Sequence, residues 1–194
     1  EEPFVTRVQQ MPGFDLRGQG VILGFVDTGI DYTSPSFRYE DGSSKILSIW
    51  DQTGDGPFPY DMQFGAVYTQ EEINSALQSD SPLDIVPHED SIGHGTFIAS
   101  AAGGRENNGH IGAAPDASII AVKLKPASPY YFNLFPELPE SSNIFTSDNI
   151  MMGIDYILDR ADAFDRPVAI CIALGSNFGG HDGLSMMEEY LTYI

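Results

Sequence analysis

Four short apolar runs punctuate the chain: Val21 to Val26, Ile46 to Trp50, Ser118 to Leu124 and Val168 to Leu174. They are nearly continuous in apolar residues instead of alternating with polar ones, the pattern of parallel strands covered on both faces. Between them the periodicity changes. Ile150, Ile154, Ile157, Leu158 and Ala161 place an apolar stripe on a helix over 147–164, and Pro167 opens the last strand. A second helix opens at His94, runs through Phe97, Ile98 and the small residues Ala99 to Ala102, and stops at Gly103-Gly104. Thr69-Gln70-Glu71-Glu72 has capping-box spacing and predicts a short surface helix over 70–78. A further helix is expected over 184–194. Strands alternating with helices predict an α/β fold of three layers, a mostly parallel sheet with helices on both faces. The pattern runs to Ile194 without a helix stop signal, so the fold is expected to be incomplete at its C-terminus.

Two long stretches resist assignment, 51–61 and 126–146, both rich in Pro, Gly, Ser and aromatics. Long loops in compact domains are often binding loops. The second carries Tyr130, Tyr131, Phe132, Leu134 and Phe135, a load that fits either tucking under a neighbouring element or contacting a substrate.

Composition narrows the classes of function. The 194 residues hold 9 Lys+Arg against 28 Asp+Glu, a formal net charge of −19. Nucleic acid is excluded as an expected partner, because phosphate backbones would be repelled and the basic residues are scattered. No apolar run reaches the roughly 18 residues of a membrane span, and Glu1-Glu2-Pro3 lacks the start of a signal peptide. The single Cys171 allows neither an internal disulfide nor a thiolate zinc site; mid-strand, it reads as a small buried hydrophobe. Met151, Met152, Met186 and Met187 read as core filling.

Two segments carry candidate chemistry. Phe25-Val26-Asp27-Thr28-Gly29-Ile30-Asp31 sets a carboxylate at the C-terminal end of an apolar strand, ahead of a glycine turn, where open α/β sheets gather functional groups. Asp27 could merely cap that turn. The same Asp-Thr-Gly also surrounds the carboxylates of aspartic proteases, which need two such loops; with one, that reading demands a homodimer. Gly93-His94-Gly95-Thr96 places a histidine between glycines at the start of a small-residue helix. Opposite a carboxylate, such an imidazole can accept and return a proton. His88, Glu89, Asp90 and His94 lack the spacing of a zinc motif, so no metal site is expected.

Taken in order, Asp27-Thr28-Gly29 and Gly93-His94-Gly95-Thr96 resemble the subtilisin-like serine proteases, or subtilases. Asn107 to Pro115 with the strand after it, the helix from Asp148 to Ile157 and Ala173-Leu174-Gly175-Ser176 are similar to further family segments. The resemblance spans about residues 13–194, and within the family the segment Gly20 to Gln52 looks most like the group containing clostridial spore-germination proteases. It implies that residues 1–194 are the N-terminal portion of one subtilisin-like catalytic domain. Asp27 would then be the triad carboxylate and His94 the general base and acid of a serine endopeptidase. The family nucleophile lies in Gly-Thr-Ser, which does not occur in these residues; Asn177 sits too early for the oxyanion asparagine, and Ser91, Ser100, Ser176 and Ser185 stand in no nucleophile motif.

The resemblance also implies that an extended peptide binds between two strand edges, at Lys123, Leu124 and Lys125 and at Ala173, Leu174 and Gly175. Pro126, Ala173 and Ser176 depart from the family pattern there. Expected partners are a peptide or protein substrate and the remainder of the catalytic domain. No cofactor is expected; the loop at 107–111 looks shortened where many subtilases hold calcium. Compartment is implied only by the family, as secreted, cell-surface or spore-associated. A binding or regulatory module that keeps the fold without turnover is the competing class.

Overall fold

The computed structural model describes all residues except 1–3, 12, 14, 135–142 and 176–178. Its centre is a five-stranded sheet of β1 (Ile22–Asp27), β2 (Ile46–Asp51), β3 (Ala66–Thr69), β4 (Ser118–Lys123) and β5 (Val168–Cys171). The spatial order is β3-β2-β4-β1-β5, with β3 antiparallel to β2 and every other pair parallel. The principal helices are α1 (Phe4–Gln9), α2 (Gln70–Leu77), α3 (His94–Gly103), α4 (Tyr130–Leu134), α5 (Ser147–Ala163) and α6 (Met186–Tyr193).

Continuous apolar strands have the predicted consequence of two cores. Phe25, Ile49, Ile119 and Ala121 pack beneath α2 and α3 with Ile73 and Ala99. Ile22, Val26, Trp50, Ile120 and Val122 face α5 through Ile154, Tyr156 and Ile157. Trp50 packs against Tyr156 in a tilted pair, 5.4 Å between ring centroids, and its indole N–H donates to the Phe64 carbonyl at 3.2 Å. Thr69 caps α2 in the expected capping box, its hydroxyl accepting from the Glu72 backbone while Glu72 returns to the Thr69 N–H. Lys45 is wholly buried. Its ammonium donates to the Gly103 and Pro115 carbonyls, tying the negative end of α3 to the turn before β4; burial, with Arg105 nearby, pushes that lysine down to about 8.

Several elements differ from expectation. β3 was not foreseen; only four residues long, it pairs as an antiparallel edge. The last strand stops at Cys171 instead of Leu174, because its ladder ends where Cys171 meets Phe25 of β1. It is also only partly covered, as an edge with one partner. The aromatic stretch folds in part: Pro126 bridges Phe145, Ala127 N–H donates to Ile144 O at 2.8 Å, and α4 follows. Tyr130, Tyr131 and Leu134 are exposed, so at these positions the loop does not tuck away; Phe135 lies outside the described residues. Among the described residues no helix is long and apolar enough to cross a membrane.

Helix α5 lies tight on β1 because Gly24 has no side chain. A methyl built there would stand 2.6 Å from Ile157 Cγ2. In the complete domain, Gly24→Ala should cost about 1–3 kcal/mol by overpacking and Ile157→Ala about 2–5 kcal/mol by leaving a cavity. Each substitution relieves the other, so chemical denaturation of the double variant should show a loss at least ~0.5 kcal/mol smaller than the sum.

Candidate active site

The register of the sheet sets up the site. Asp27 of β1 and Asp51 of β2 both pair with Lys123 of the intervening β4. The three residues form one row at the C-terminal ends of three parallel strands. All stand on the α2 and α3 side, since Phe25, Ala121 and Ile49, two residues earlier on each strand, belong to that core and strand side chains repeat every second residue.

Asp27 is 2% exposed, and its Oδ1 accepts two hydrogen bonds, from its neighbour Thr28 N–H (2.7 Å) and from His94 Nδ1 (2.7 Å) across 67 positions of sequence. An ionised carboxylate can only accept, so the imidazole proton sits on Nδ1 and Nε2 is left as the basic nitrogen. His94, the first residue of α3, keeps 43% of its side chain exposed. The expected contact between these two residues is therefore present, with one partner sunk and the other open.

Asp90 ties the two motifs together. One carboxylate oxygen accepts from Thr28 Oγ1 (2.8 Å) and Gly93 N–H (2.9 Å), the other from Thr96 N–H (2.9 Å) and Oγ1 (2.7 Å). Burial works against its charge, but the bonds from Thr96, Gly93 and Thr28 hold Asp90 below the ordinary carboxylate value. Thr28 Oγ1 accepts in turn from Gly95 N–H (2.9 Å), and Thr96 Oγ1 from Asp31 N–H (2.8 Å). Gly95 is dictated by closeness: a methyl on it would collide with the Gly29 carbonyl and lie 3.1 Å from Asp27 Cβ.

A second aspartate and histidine, absent from the sequence reading as a pair, sit two strands further along, across β4. His88 Nδ1 lies 2.7 Å from Asp51 Oδ2, with side chains 0% and 3% exposed. Lys123 Nζ stands 3.5 Å from the same oxygen and donates to Glu89 O at 2.9 Å. Burial pushes Asp51 up, but the hydrogen bonds from His88 and Thr53 and the nearby Lys123 ammonium together bring it down to about 2. His88 is thus committed to Asp51. Among the described residues, no group of three or more His, Cys, Asp or Glu side chains is placed to hold a metal ion.

The strand-edge positions are mixed. Leu124 is buried, and its N–H donates to Asp27 O (2.8 Å). Lys125 N–H donates to Gln52 Oε1 (3.0 Å), while Lys123 turns its ammonium toward Glu89 and Asp51. The free edge expected at 123–125 is thus engaged within the chain at Leu124 and Lys125. Ala173, Leu174 and Gly175 follow β5 as irregular backbone; Ser176 and Asn177 fall outside the described residues. Ser185 caps α6. Cys171 is partly buried, and burial together with the Asp27 charge raises its thiol above the usual value, which keeps it protonated and unreactive.

The sequence profile of the Subtilase family matches residues 18–185. The chain belongs to the subtilase family. This subtilase chain is similar to the solved Clostridium perfringens CspB protease, with a TM-score of 0.79 and 32% identity over 97% of this chain and 36% of that one. That likeness supports placing it with the clostridial group. Sphericase, at 21% identity and a TM-score of 0.55 over 97% of this chain and 47% of its own, shares the fold. The Arabidopsis thaliana subtilisin-like protease SBT2.2 is 31% identical over 131 residues, 57% of this chain and 15% of that protein. SBT2.4 from the same plant is 36% identical over 98 residues, 45% of this chain and 12% of its own length. The chain thus spans less than half of each of these relatives.

Three outcomes follow for the subtilase domain. Gly95→Ala should force the motifs apart and lower stability by about 1–3 kcal/mol, read by chemical denaturation of the complete domain. Gly175→Ala, with open space around it, should stay within about 0.5 kcal/mol. Asp51, lowered in the folded state, stabilises the fold fully above its unfolded value near 4 and loses that contribution as pH falls toward about 2. The domain should therefore lose about 2 kcal/mol more between pH 5 and pH 2 than its Asp51→Asn variant.

Proposed function

We propose that the complete protein is a serine endopeptidase in which Asp27 and His94 are two of the three members of an Asp-His-Ser triad. The observation that carries this reading is the 2.7 Å contact between buried Asp27 and open His94. Asp27 holds the imidazole with its proton on Nδ1 and stabilises the charged ring; Nε2 takes the proton of a serine hydroxyl as the oxygen attacks a peptide carbonyl, then passes it to the leaving amine. An acyl-enzyme forms and water releases it. The serine and the donors for the developing oxyanion come from outside these 194 residues, so the segment by itself has no peptidase activity. Ala173, Leu174 and Gly175 would flank the extended substrate. The chemistry asks for no cofactor, and the substrates are peptides or proteins. That no Gly-Thr-Ser occurs in the chain is also what a non-hydrolytic relative would show.

Fluorophosphonate labelling separates the two. The complete domain should label at a serine beyond residue 194, and residues 1–194 alone should not label. His94→Ala should cut turnover by about 10⁶ and Asp27→Asn by about 10⁴, the scale of loss when triad members are removed. Absence of labelling in the folded complete domain would favour the non-hydrolytic reading; a labelled serine within residues 1–194 would overturn the assignment of the nucleophile.

A further inference from the structure

The Asp51–His88 pair takes no part in the chemistry proposed above, yet it is the more deeply buried of the two. We propose that Asp51 and His88 are positioning residues: the His88 ring anchors the backbone of the loop at 28–31, and through it fixes where Asp27 presents its carboxylate to His94. This inference rests on the protease reading.

The polarity of the ring is settled by its partners. Its Nε2 lies 3.3 Å from Ile30 N–H, which can only donate, so Nε2 is bare and the proton sits on Nδ1, given to Asp51. Asp51 cannot swing away, because its other oxygen accepts from Thr53 N–H (2.8 Å) and Thr53 Oγ1 (2.6 Å). Fixed Asp51 orients the ring, and the ring orients Ile30, three residues after Asp27. A methyl on Gly29 would stand 3.4 Å from the ring at Cε1, so the histidine also packs directly against the loop.

The contact is the middle rung of a ladder. Thr28 donates to Asp90 (2.8 Å), Ile30 to His88 (3.3 Å) and the Tyr32 hydroxyl to Val86 O (2.9 Å). Every second residue of 28–32 thus meets every second residue of 86–90 running the other way; Asp27 immediately precedes the first run, and His94 lies four residues beyond the end of the second. Of the three rungs, only His88 also reaches the row of strand ends, through Asp51. Removing the ring would leave the Ile30 N–H buried without an acceptor and Asp51 Oδ2 without its imidazole donor, a loss that packing alone does not repair.

The test uses the complete protease, with turnover expressed per active site titrated by fluorophosphonate and the His94 Nδ1 proton followed by NMR in parallel. His88→Asn can keep a donor toward Asp51 but withdraws the acceptor from Ile30. It should lower kcat by up to about a hundredfold with KM nearly unchanged, the scale expected when reacting groups are misplaced, and shift the His94 resonance. His88→Gln, whose amide oxygen can reach the Ile30 N–H, should recover about tenfold of that loss. Thr53→Val, a milder change beside the pair, should lower kcat about threefold in the same direction. Wild-type kcat and an unmoved His94 resonance in all three variants, whatever their melting temperatures, would overturn the proposal, as would equal losses in the Asn and Gln variants. If the folded wild type shows no turnover, the protease reading fails, and the His94 resonance alone still decides whether His88 positions the site.

Discussion

Three strand ends in one register carry this structure. Because β1, β4 and β2 run parallel and finish level, Asp27, Lys123 and Asp51 stand side by side on one face of the sheet. Two carboxylates flanking an ammonium at the mouth of an apolar core need partners, and the segment from His88 to His94 supplies them. It crosses the row once, giving His88 to Asp51 and His94 to Asp27, with Asp90 midway binding Thr28, Gly93 and Thr96. The two cores beneath exist to keep those strand ends level.

The pairs are alike in geometry and opposite in setting. Both place a carboxylate oxygen 2.7 Å from an Nδ1. One ring is sealed and spends its second nitrogen on a backbone N–H; the other is open, with its second nitrogen left for a proton. Burial therefore separates an element that holds position from one suited to chemistry. Asp51 also contributes acid sensitivity, since its hydrogen bonds and the nearby lysine outweigh burial and keep it ionised well below the usual range.

Much of this was legible in the sequence because the signals were local. Continuous apolar runs marked four of the five strands, Thr69 and Glu72 marked a capped helix, and two short motifs marked Asp27 and His94. Three things were not. Strand β3 has four residues and takes its structure from pairing with β2, so no pattern of its own announces it. His88 and Asp51 are 37 positions apart and meet only because the register brings β2 level with β1. The backbone donors of Leu124 and Lys125 looked free in a strand-edge reading, but the ends of neighbouring strands, through Asp27 O and Gln52, claim them. In each case a long-range partner decided what local propensity could not.

The most direct test of the account is a crystal structure of the complete domain bearing a fluorophosphonate adduct. The account predicts Asp27 Oδ1 within hydrogen-bond reach of His94 Nδ1, and His94 Nε2 within reach of the modified serine oxygen, at about 2.6–3.2 Å each. A modified serine whose nearest base is any residue other than His94, or an imidazole turned away from Asp27, would contradict it.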